Sequence, residues 1–482
     1  MRFLPIALAF FAGIVGLTIV QMWLRTPSPQ ALQIRTATQE GSVAEATAAS
    51  QVKQVDLHGC FQRYPEITPG TTPATWLGFR GDQRDNIARA QKWPATWPEK
   101  TLPLRWQIAL GDGHAMPALV HGCLYVLDYD EGRHGDSLTC INADTGKILW
   151  HHLYAVQTKR NHGISRTVTA TDGSTVVSLG PQCHVLALCA TNGAYRWGLD
   201  LVEQYGSKVP LWYAGQCPLI DPDGVVILAP AGTNTLLCGI DSLTGKTVFE
   251  TPNDDHWQMS HASVMTLNVH GQRHYIYAAI GGIVGVAAEG PERGKILWKT
   301  EAFAPSVVAP SPTPLTDGRF FMTAGYGSGG AMFKVVQSNK TWSVHTLFKT
   351  DKKQFACEQQ TPILYDGLLY TVMPSDGGGD RQQLVCMTMT GERVWASGKE
   401  DLFGLGPFVA TQDGLFFLLN DAGTLTIARC SHAGYQRLAR YDLMQKSGRD
   451  AWGPLIVAGN RIYLRDSTRL FCFNLNEETE KP

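Results

Sequence analysis

The stretch Asp144-Thr-Gly-Lys-Ile-Leu-Trp150 decides the fold, because versions of it recur along the chain. Each version is a turn that contains glycine, followed by a short strand that ends in an aromatic residue. The other clear copies are Thr191-Asn-Gly-Ala-Tyr-Arg-Trp197, Leu243-Thr-Gly-Lys-Thr-Val-Phe249, Arg293-Gly-Lys-Ile-Leu-Trp298 and Met389-Thr-Gly-Glu-Arg-Val-Trp395. An apolar run precedes each copy, so the pattern predicts a β-hairpin of strand, glycine turn and strand.

The spacing of these hairpins predicts a β-propeller. Weaker copies end near Phe348 and Leu438, and Trp106 lies in a strand-like run, Leu104–Ile108, with no partner strand before it. The anchors lie at positions 106, 150, 197, 249, 298, 348, 395 and 438, which are 43 to 52 residues apart. This period is typical of a four-stranded propeller blade. Eight anchors therefore predict an all-β, eight-bladed propeller.

A second series of motifs gives the same count. It consists of short strands, most of them marked by proline or serine, that end in a glycine turn. The eight copies begin at Pro117, Val168, Pro218, Ser263, Pro312, Pro362, Pro407 and Pro454. We predict that these are the innermost strands of the blades. The last copy leads into Leu470–Leu475 with no further strand after it, so the unpaired strand at Leu104–Ile108 is expected to complete the last blade and close the ring.

The N-terminal part of the chain differs from the repeats. Residues 3–24 form an apolar stretch between two arginines, and about 20 such residues can span a bilayer. The stretch lacks a clear small-x-small cleavage site, which favours an uncleaved anchor, while a cleaved signal segment remains the alternative. The predicted domains are a membrane anchor or signal segment over 1–25, a flexible linker over 26–73, a segment over 74–103 that leads into the repeats, and the propeller over 104–478.

Composition and charge exclude two classes of protein. Hydrophobic residues make up 44% and charged residues 17% of the chain, which is too much apolar material and too little charge for general disorder. The 41 basic and 42 acidic side chains nearly balance, and no basic stripe interleaves with aromatic residues. Nucleic acid is therefore not expected as a partner.

The repeat resembles a known family. The Gly-Lys-x-Leu-Trp hairpin is similar to the pyrroloquinoline-quinone (PQQ) repeat, and the segment Trp76–Asn86 with Trp93-Pro and Trp97-Pro resembles the start of a bacterial subfamily of PQQ-binding-like propellers, sometimes called polyvinyl-alcohol-dehydrogenase-like. The resemblance covers about residues 74–476. It implies a protein on the periplasmic or extracellular side of the cell envelope, anchored through residues 3–24, or secreted if the N-terminus is cleaved.

The resemblance implies two functional classes. Quinoprotein alcohol dehydrogenases hold PQQ on the propeller axis beside a calcium ion and a catalytic aspartate, many with adjacent cysteines over the cofactor. Outer-membrane assembly propellers bind protein partners and carry no cofactor. This chain has no adjacent cysteines and no Cys-x-x-Cys-His haem site. We therefore expect a non-catalytic binding or scaffold protein with a protein partner, or a small-molecule or polymer ligand, and a PQQ- and calcium-dependent alcohol or sugar dehydrogenase is the alternative.

Loops that lead into the innermost strands meet at one mouth of a propeller channel, so their side chains form the candidate site. They are His114, Arg166, Gln216, His261, Glu358, Gln359, Trp452 and, nearby, Asp450. Arg166 would contact ligand carboxylates through two hydrogen bonds, and Trp452 would stack on a planar ring. Glu358 or Asp450 would ligate calcium or act as a general base. The alternative is a mouth whose polar side chains only solvate the loops.

Overall fold

The fold is a ring of eight antiparallel sheets, as the repeat count predicts. The computed structural model describes residues 54–89, 93–94, 96–444 and 450–475, together with Leu17 and Gln21. Eight sheets, each with a four-stranded antiparallel core, form within these residues. The predicted N-terminal hydrophobic helix lies outside them, apart from Leu17 and Gln21. No helix of the described part is long and apolar enough to cross a membrane.

Blades 1 to 4 follow one another along the chain. Within each blade the strands are ordered from the innermost, next to the channel, to the outermost. The strands of blade 1 are Ala118–Val120, Cys123–Asp130, Gly135–Asn142 and Ile148–Ala155. Those of blade 2 are Ala170–Thr171, Thr175–Leu179, His184–Cys189 and Tyr195–Asp200. Blade 3 contains Leu219–Ile220, Val225–Leu228, Thr235–Asp241 and Thr247–Pro252. Blade 4 contains Met265–Val269, Gln272–Ala279, Gly282–Ala287 and Ile296–Thr300.

Blades 5 to 8 repeat the arrangement. Blade 5 contains Thr313–Pro314, Arg319–Ala324, Gly329–Ser338 and Thr341–Thr350. Blade 6 contains Ile363–Tyr365, Leu368–Val372, Leu384–Thr388 and Arg393–Ala396. Blade 7 contains Phe408–Thr411, Leu415–Leu419, Thr424–Ser431 and Gly434–Asp442, and blade 8 contains Ile456–Ala458, Arg461–Arg465, Arg469–Asn474 and Leu104–Ala109. A short helix, Leu201–Tyr205, and two 3-10 turns, Thr316–Gly318 and Gly378–Asp380, lie between strands.

The ring closes through the pairing that the two chain ends predict. Leu104–Ala109 is the outermost strand of blade 8 and runs antiparallel to Arg469–Asn474. Leu104 lies opposite Phe473 and Ala109 opposite Arg469. The last blade therefore contains both the first strand of the repeats and the last.

The aromatic anchors lie in the outermost strands and pack onto the glycine turn of the next blade. A Cβ on Gly146 would lie 2.9 Å from the ring of Trp106, and one on Gly245 would lie 2.6 Å from Trp197. Both glycines have left-handed φ angles, 72° and 71°. The indole N–H of Trp106 also donates to the carbonyl of Ala143, at 3.1 Å. Glycine recurs because it adopts this φ and leaves room for the neighbouring ring, so the motif specifies the contact between blades.

Hydrogen bonds also link neighbouring blades where the innermost strands begin. The backbone N–H of Cys217 donates to Ser263 Oγ, that of Ser263 to Ser311 Oγ, and that of Ser311 to Thr361 Oγ1, each at 2.9 Å. Each hydroxyl belongs to the blade after the one whose N–H it accepts. Since a buried N–H needs an acceptor, a small hydroxyl residue recurs at this point of the repeat.

The last 20 residues of the predicted linker over residues 26–73 contain a strand that pairs with blade 1. Cys60–Arg63 forms a fifth strand on the outer edge of blade 1, and Leu57 is buried beside it. The linker prediction needs correction over residues 54–73, because polar composition does not stop backbone groups from pairing with an open strand edge. The earlier part of the predicted linker lies outside the described residues.

After this strand the chain crosses the channel. We call residues 76–88 the plug. The backbone of Trp76 exchanges two hydrogen bonds with Leu119 in the innermost strand of blade 1, both 2.8 Å long. The carbonyl of Leu77 accepts from the N–H of Thr171 in the innermost strand of blade 2, at 2.9 Å. The plug thus pairs with strand edges that face the channel.

Arg80 fixes the centre of the plug. Its side chain is buried, and burial lowers the pKa of the guanidinium to about 10, against the opposing effect of Asp85. The guanidinium donates to four backbone carbonyls, those of Arg84, Asp85, Thr361 and Pro362, at 2.9 to 3.1 Å. The last two carbonyls belong to the start of blade 6, so Arg80 joins the plug to the far side of the ring.

Further contacts tie the plug to blades 3 and 7. Arg84 donates to the carbonyl of Ile220 in blade 3, at 2.6 Å. Asn86 donates through its side chain to the carbonyl of Phe408 in blade 7, and Ile87–Ala88 pairs in parallel with the same innermost strand. The plug therefore holds the innermost strands or their starts in blades 1, 2, 3, 6 and 7.

Asp136, in the third strand of blade 1, is a fully buried carboxyl. The hydroxyl of Tyr154 donates to its Oδ2 at 2.9 Å, while Oδ1 has no hydrogen-bond partner in the described structure. Burial raises the pKa of Asp136 from 3.8 to about 7, against the opposing effect of the Tyr154 hydrogen bond.

The Asp136→Asn substitution should therefore act on stability in a pH-dependent way. Because the folded pKa is raised, the contribution of Asp136 to stability is fully present below about pH 4 and is lost as pH rises through about 7. We expect the variant to be more stable than the wild type at pH 8 by about 1–3 kcal/mol, with the difference shrinking or reversing at pH 4. Urea unfolding at both pH values measures this, and an equal difference at the two would contradict it.

Candidate functional site

The loops that lead into the innermost strands enclose a cavity of about 330 Å³ at the channel mouth. Phe79 of the plug lines the cavity from the channel side. The predicted site residues that line it are His114, Arg166, His261, Glu358, Gln359 and Trp452. These residues come from the loops before blades 1, 2, 4, 6 and 8, so the ring geometry brings together side chains that are far apart in sequence.

Two other predicted site residues lie elsewhere. Gln216 is buried and is absent from the cavity lining. Its amide donates to the carbonyl of Ala229 at 2.7 Å and accepts from the N–H of the same residue at 3.0 Å. Asp450 lines a neighbouring cavity of about 270 Å³, which shares His114 and His162 with the first. The side chain of Gln216 thus stabilises the backbone of blade 3, and Asp450 lines the neighbouring cavity instead of the one that holds the other candidates.

Three aromatic residues of the cavity were not predicted as site residues. Trp212, Tyr326 and Phe79 all line it, and the rings of Trp212 and Tyr326 stack with centroids 6.2 Å apart and an interplanar angle of 7°. Tyr326 is 60% exposed, and Leu211, next to Trp212, is 75% exposed. The mouth therefore has an apolar, aromatic rim.

Arg166 carries the positive charge of the cavity. One of its terminal nitrogens donates to the backbone carbonyls of Asn161 and Gly163, the latter at 3.1 Å, and its Nε has no hydrogen-bond partner in the described structure. Burial lowers the pKa of the guanidinium to about 10, so it stays charged at neutral pH. A desolvated cation whose recorded partners are neutral carbonyls is suited to contact an anion.

The two predicted histidines of the cavity are uncharged at neutral pH. Burial lowers the pKa of His114 to about 4, with further lowering by Arg465 and Arg166. Burial and the charge of Arg166 also lower the pKa of His261 to about 4. Neither imidazole adds positive charge near pH 7, so both act as polar, flat walls.

The coupling between Arg166 and His261 is testable. Because the positive guanidinium lowers the imidazole pKa, Arg166→Gln should raise the pKa of His261 while leaving it below 6.5, since burial still acts. Nitrogen-15 NMR of histidine-labelled protein between pH 3 and 8 follows the titration. An unchanged pKa in the variant would show that the two groups do not interact.

The acidic side of the cavity is formed by Glu358. Burial raises the pKa of this carboxyl, as do the nearby charges of Asp376 and Asp421, against a hydrogen bond from Ser375. Asp421 also accepts the indole N–H of Trp452 at 2.8 Å, and this bond fixes the plane of the ring at the cavity wall.

The closed ring, the PQQ-type hairpins and the polar mouth define the class, an eight-bladed PQQ-repeat β-propeller. The chain belongs to the family described as outer membrane protein assembly factor BamB, which matches residues 134–397. No curated protein sequence matches the chain.

Solved structures share the architecture. BamB from Moraxella catarrhalis is 17% identical, with a TM-score of 0.52 over 78% of this chain and 100% of that one. A quinohemoprotein alcohol dehydrogenase from Comamonas testosteroni is 13% identical, with a TM-score of 0.56 over 91% and 85% of the two chains. A europium-containing methanol dehydrogenase is 12% identical, with a TM-score of 0.54 over 83% and 98%. At these identities the likeness concerns the fold alone.

The cavity fits only part of a PQQ and calcium site. Arg166 and Trp452 offer a cation and a flat surface to a planar anion. Calcium takes about six to eight oxygen ligands, with carboxylates prominent among them. Glu358 is the only carboxylate among the residues that line the cavity, and no group of three or more His, Cys, Asp or Glu side chains in the described ranges could hold a metal ion. The oxygen ligands that the cavity offers are therefore too few to hold the calcium ion that accompanies PQQ.

Proposed function

We propose that the chain is an extracytoplasmic PQQ-repeat propeller that acts as a non-catalytic binding protein and receives a protein partner at its channel mouth. The observation that carries the proposal is the composition of the mouth cavity. It combines the half-buried cation of Arg166 with an aromatic rim formed by the half-buried Trp212 and the exposed Tyr326. Aromatic and arginine side chains are the types that dominate binding energy at protein interfaces.

Family membership supports a binding role. The family is described as an outer membrane protein assembly factor, which is a role in assembly and not in turnover. The same description and the apolar stretch at residues 3–24 support the proposed location in the cell envelope. Within the proposed domain arrangement, residues 1–25 anchor the chain and the propeller lies outside the cytoplasm.

A cofactor assay tests the non-catalytic role. The purified full chain is incubated with PQQ and calcium, and its absorption spectrum and dye-linked alcohol oxidation are recorded. We expect no bound quinone at tens of micromolar and no turnover, because the cavity lacks the carboxylates that calcium needs. A bound quinone with turnover would overturn the proposal in favour of a PQQ-dependent alcohol or sugar dehydrogenase.

Fractionation tests the proposed location. The full chain should sediment with membranes, and a variant that lacks residues 2–25 should be soluble. Mass spectrometry of the mature N-terminus separates the alternatives, because a chain that begins at Met1 retains the anchor and a shortened chain has lost a signal segment.

A further inference from the structure

The plug makes the mouth cavity a blind pocket. Phe79 lines both this cavity and a neighbouring space of only about 10 Å³ among Trp76, Arg80 and Asn86 of the plug. That is about the volume that admits one water molecule. A linear polymer therefore cannot thread through the channel, and a ligand that enters the mouth must end inside it.

The size and the walls of the pocket restrict what can end there. A volume of about 330 Å³ is at the lower end of small-molecule sites, which span about 300–1,000 Å³. The walls offer one guanidinium, from Arg166, the rings of Trp212 and Trp452, and one carboxyl, from Glu358, whose pKa is raised by burial. The group that fits is small, carries an anion, and has a flat apolar surface next to that anion.

We propose that the pocket captures the C-terminal residue of a partner protein, with the α-carboxylate on Arg166 and an aromatic side chain against the tryptophan rings. The choice of a protein partner rests on the proposed function. In the last residue of a chain the carboxylate is next to the side chain, and the polypeptide leaves in one direction only. An internal aspartate or glutamate would require two chain segments to leave through the same mouth of a blind pocket.

Peptide binding tests the proposal. The probe is a fluorescein-labelled hexapeptide of glycine and serine that ends in phenylalanine with a free carboxylate, and its anisotropy is measured with the full chain. Its matched controls are the C-terminal amide and a peptide with alanine as the last residue. We expect each control to bind at least about tenfold more weakly, because each loses one of the two contacts. Equal binding of the amide, or no binding of the free acid at millimolar protein, would overturn the capture of a C-terminus.

Single substitutions test whether Arg166 is the residue that binds the peptide carboxylate. Arg166→Gln should weaken binding of the free acid at least about tenfold and leave binding of the amide unchanged, because only the free acid carries the anion. Arg440→Gln, in the outermost strand of blade 7, removes the same charge from a residue that does not line the cavity, and it should change the binding of neither peptide. Unchanged binding by Arg166→Gln would overturn the proposal. If that variant does not fold, competition by N-acetylphenylalanine against its amide with the wild-type chain decides the same question.

The floor of the pocket is tested with a longer peptide. A probe with two glycines after the phenylalanine should bind the wild-type chain at least about tenfold more weakly than the hexapeptide, because the pocket ends at Phe79. Phe79→Ala deepens the pocket and should reduce this difference. Equal binding of the two peptides to the wild type would overturn end-on capture. A quinone turnover result would instead overturn the proposed function, so the two failures are distinct.

Discussion

We expect Arg80→Ala to lower the free energy of unfolding by about 2–4 kcal/mol. The guanidinium is buried and donates to four backbone carbonyls, two in the plug and two at the start of blade 6. Truncation removes this donor from all four carbonyls in a region that water cannot easily enter, and Thr313 Oγ1 still donates to the carbonyl of Pro362 at 3.3 Å. The loss exceeds that of an ordinary hydrogen bond because the donor is charged and several acceptors lose it at once.

Urea unfolding measures the effect, and Arg89→Ala is its matched control. Arg89 follows the plug directly and pairs with Asp85, but the side chains of this pair are 35% and 32% exposed. Such a pair contributes about 0–1 kcal/mol. If the two variants lost equal stability, the plug would be a surface segment and not a structural part of the ring.

Trp106→Ala should be more damaging still, with a loss of about 3–5 kcal/mol. The side chain is buried, packs on the turn at Gly146 and donates to the carbonyl of Ala143. It also lies in the strand that closes the ring, so the cavity opens at the junction of blades 8 and 1. Thermal unfolding and urea unfolding both measure this loss of stability.

Trp106→Phe separates the ring from its hydrogen bond. The phenyl ring keeps much of the packing and loses the N–H, so we expect a loss of about 1–2 kcal/mol, between wild type and the alanine variant. If Trp106→Ala lost less than about 1 kcal/mol, the aromatic anchors would not hold the blades together.

The sequence predicts the ring because its determinants are local and repeated. The glycine turn and the aromatic anchor recur once per blade, and the contact between Gly245 and Trp197 is the physical reason for their recurrence. The plug has no such pattern. Arg80, Arg84 and Asn86 all adopt left-handed backbone conformations, with φ of 65°, 57° and 63°, and irregular backbone leaves no period in the sequence. Its role depends on contacts with residues hundreds of positions away.

The sequence predicts part of the cavity lining for a similar reason. The topology places the start of every innermost strand at the same mouth, which is why Arg166, His261 and Glu358 line one cavity. Topology does not fix the direction of each side chain, so Gln216 turns into blade 3 instead. Trp212 lies early in the loop that leads into blade 3, and Tyr326 lies between the second and third strands of blade 5, where no repeated motif marks either residue.

The plug and the closing strand also impose an order on biosynthesis. Both are made before any complete blade, yet Asn86 binds Phe408, 322 residues later, and Leu104 pairs with Phe473. At about 5–20 residues per second, a ribosome needs tens of seconds to supply these partners. During that interval the strand Leu104–Ala109 has no partner strand, and the plug has no complete ring around it. Unpaired backbone groups of this kind can pair with the wrong strand or with another chain. Synthesis of the strand Arg469–Asn474 is therefore the event that completes the ring, and a chain terminated before this strand would keep Leu104–Ala109 unpaired.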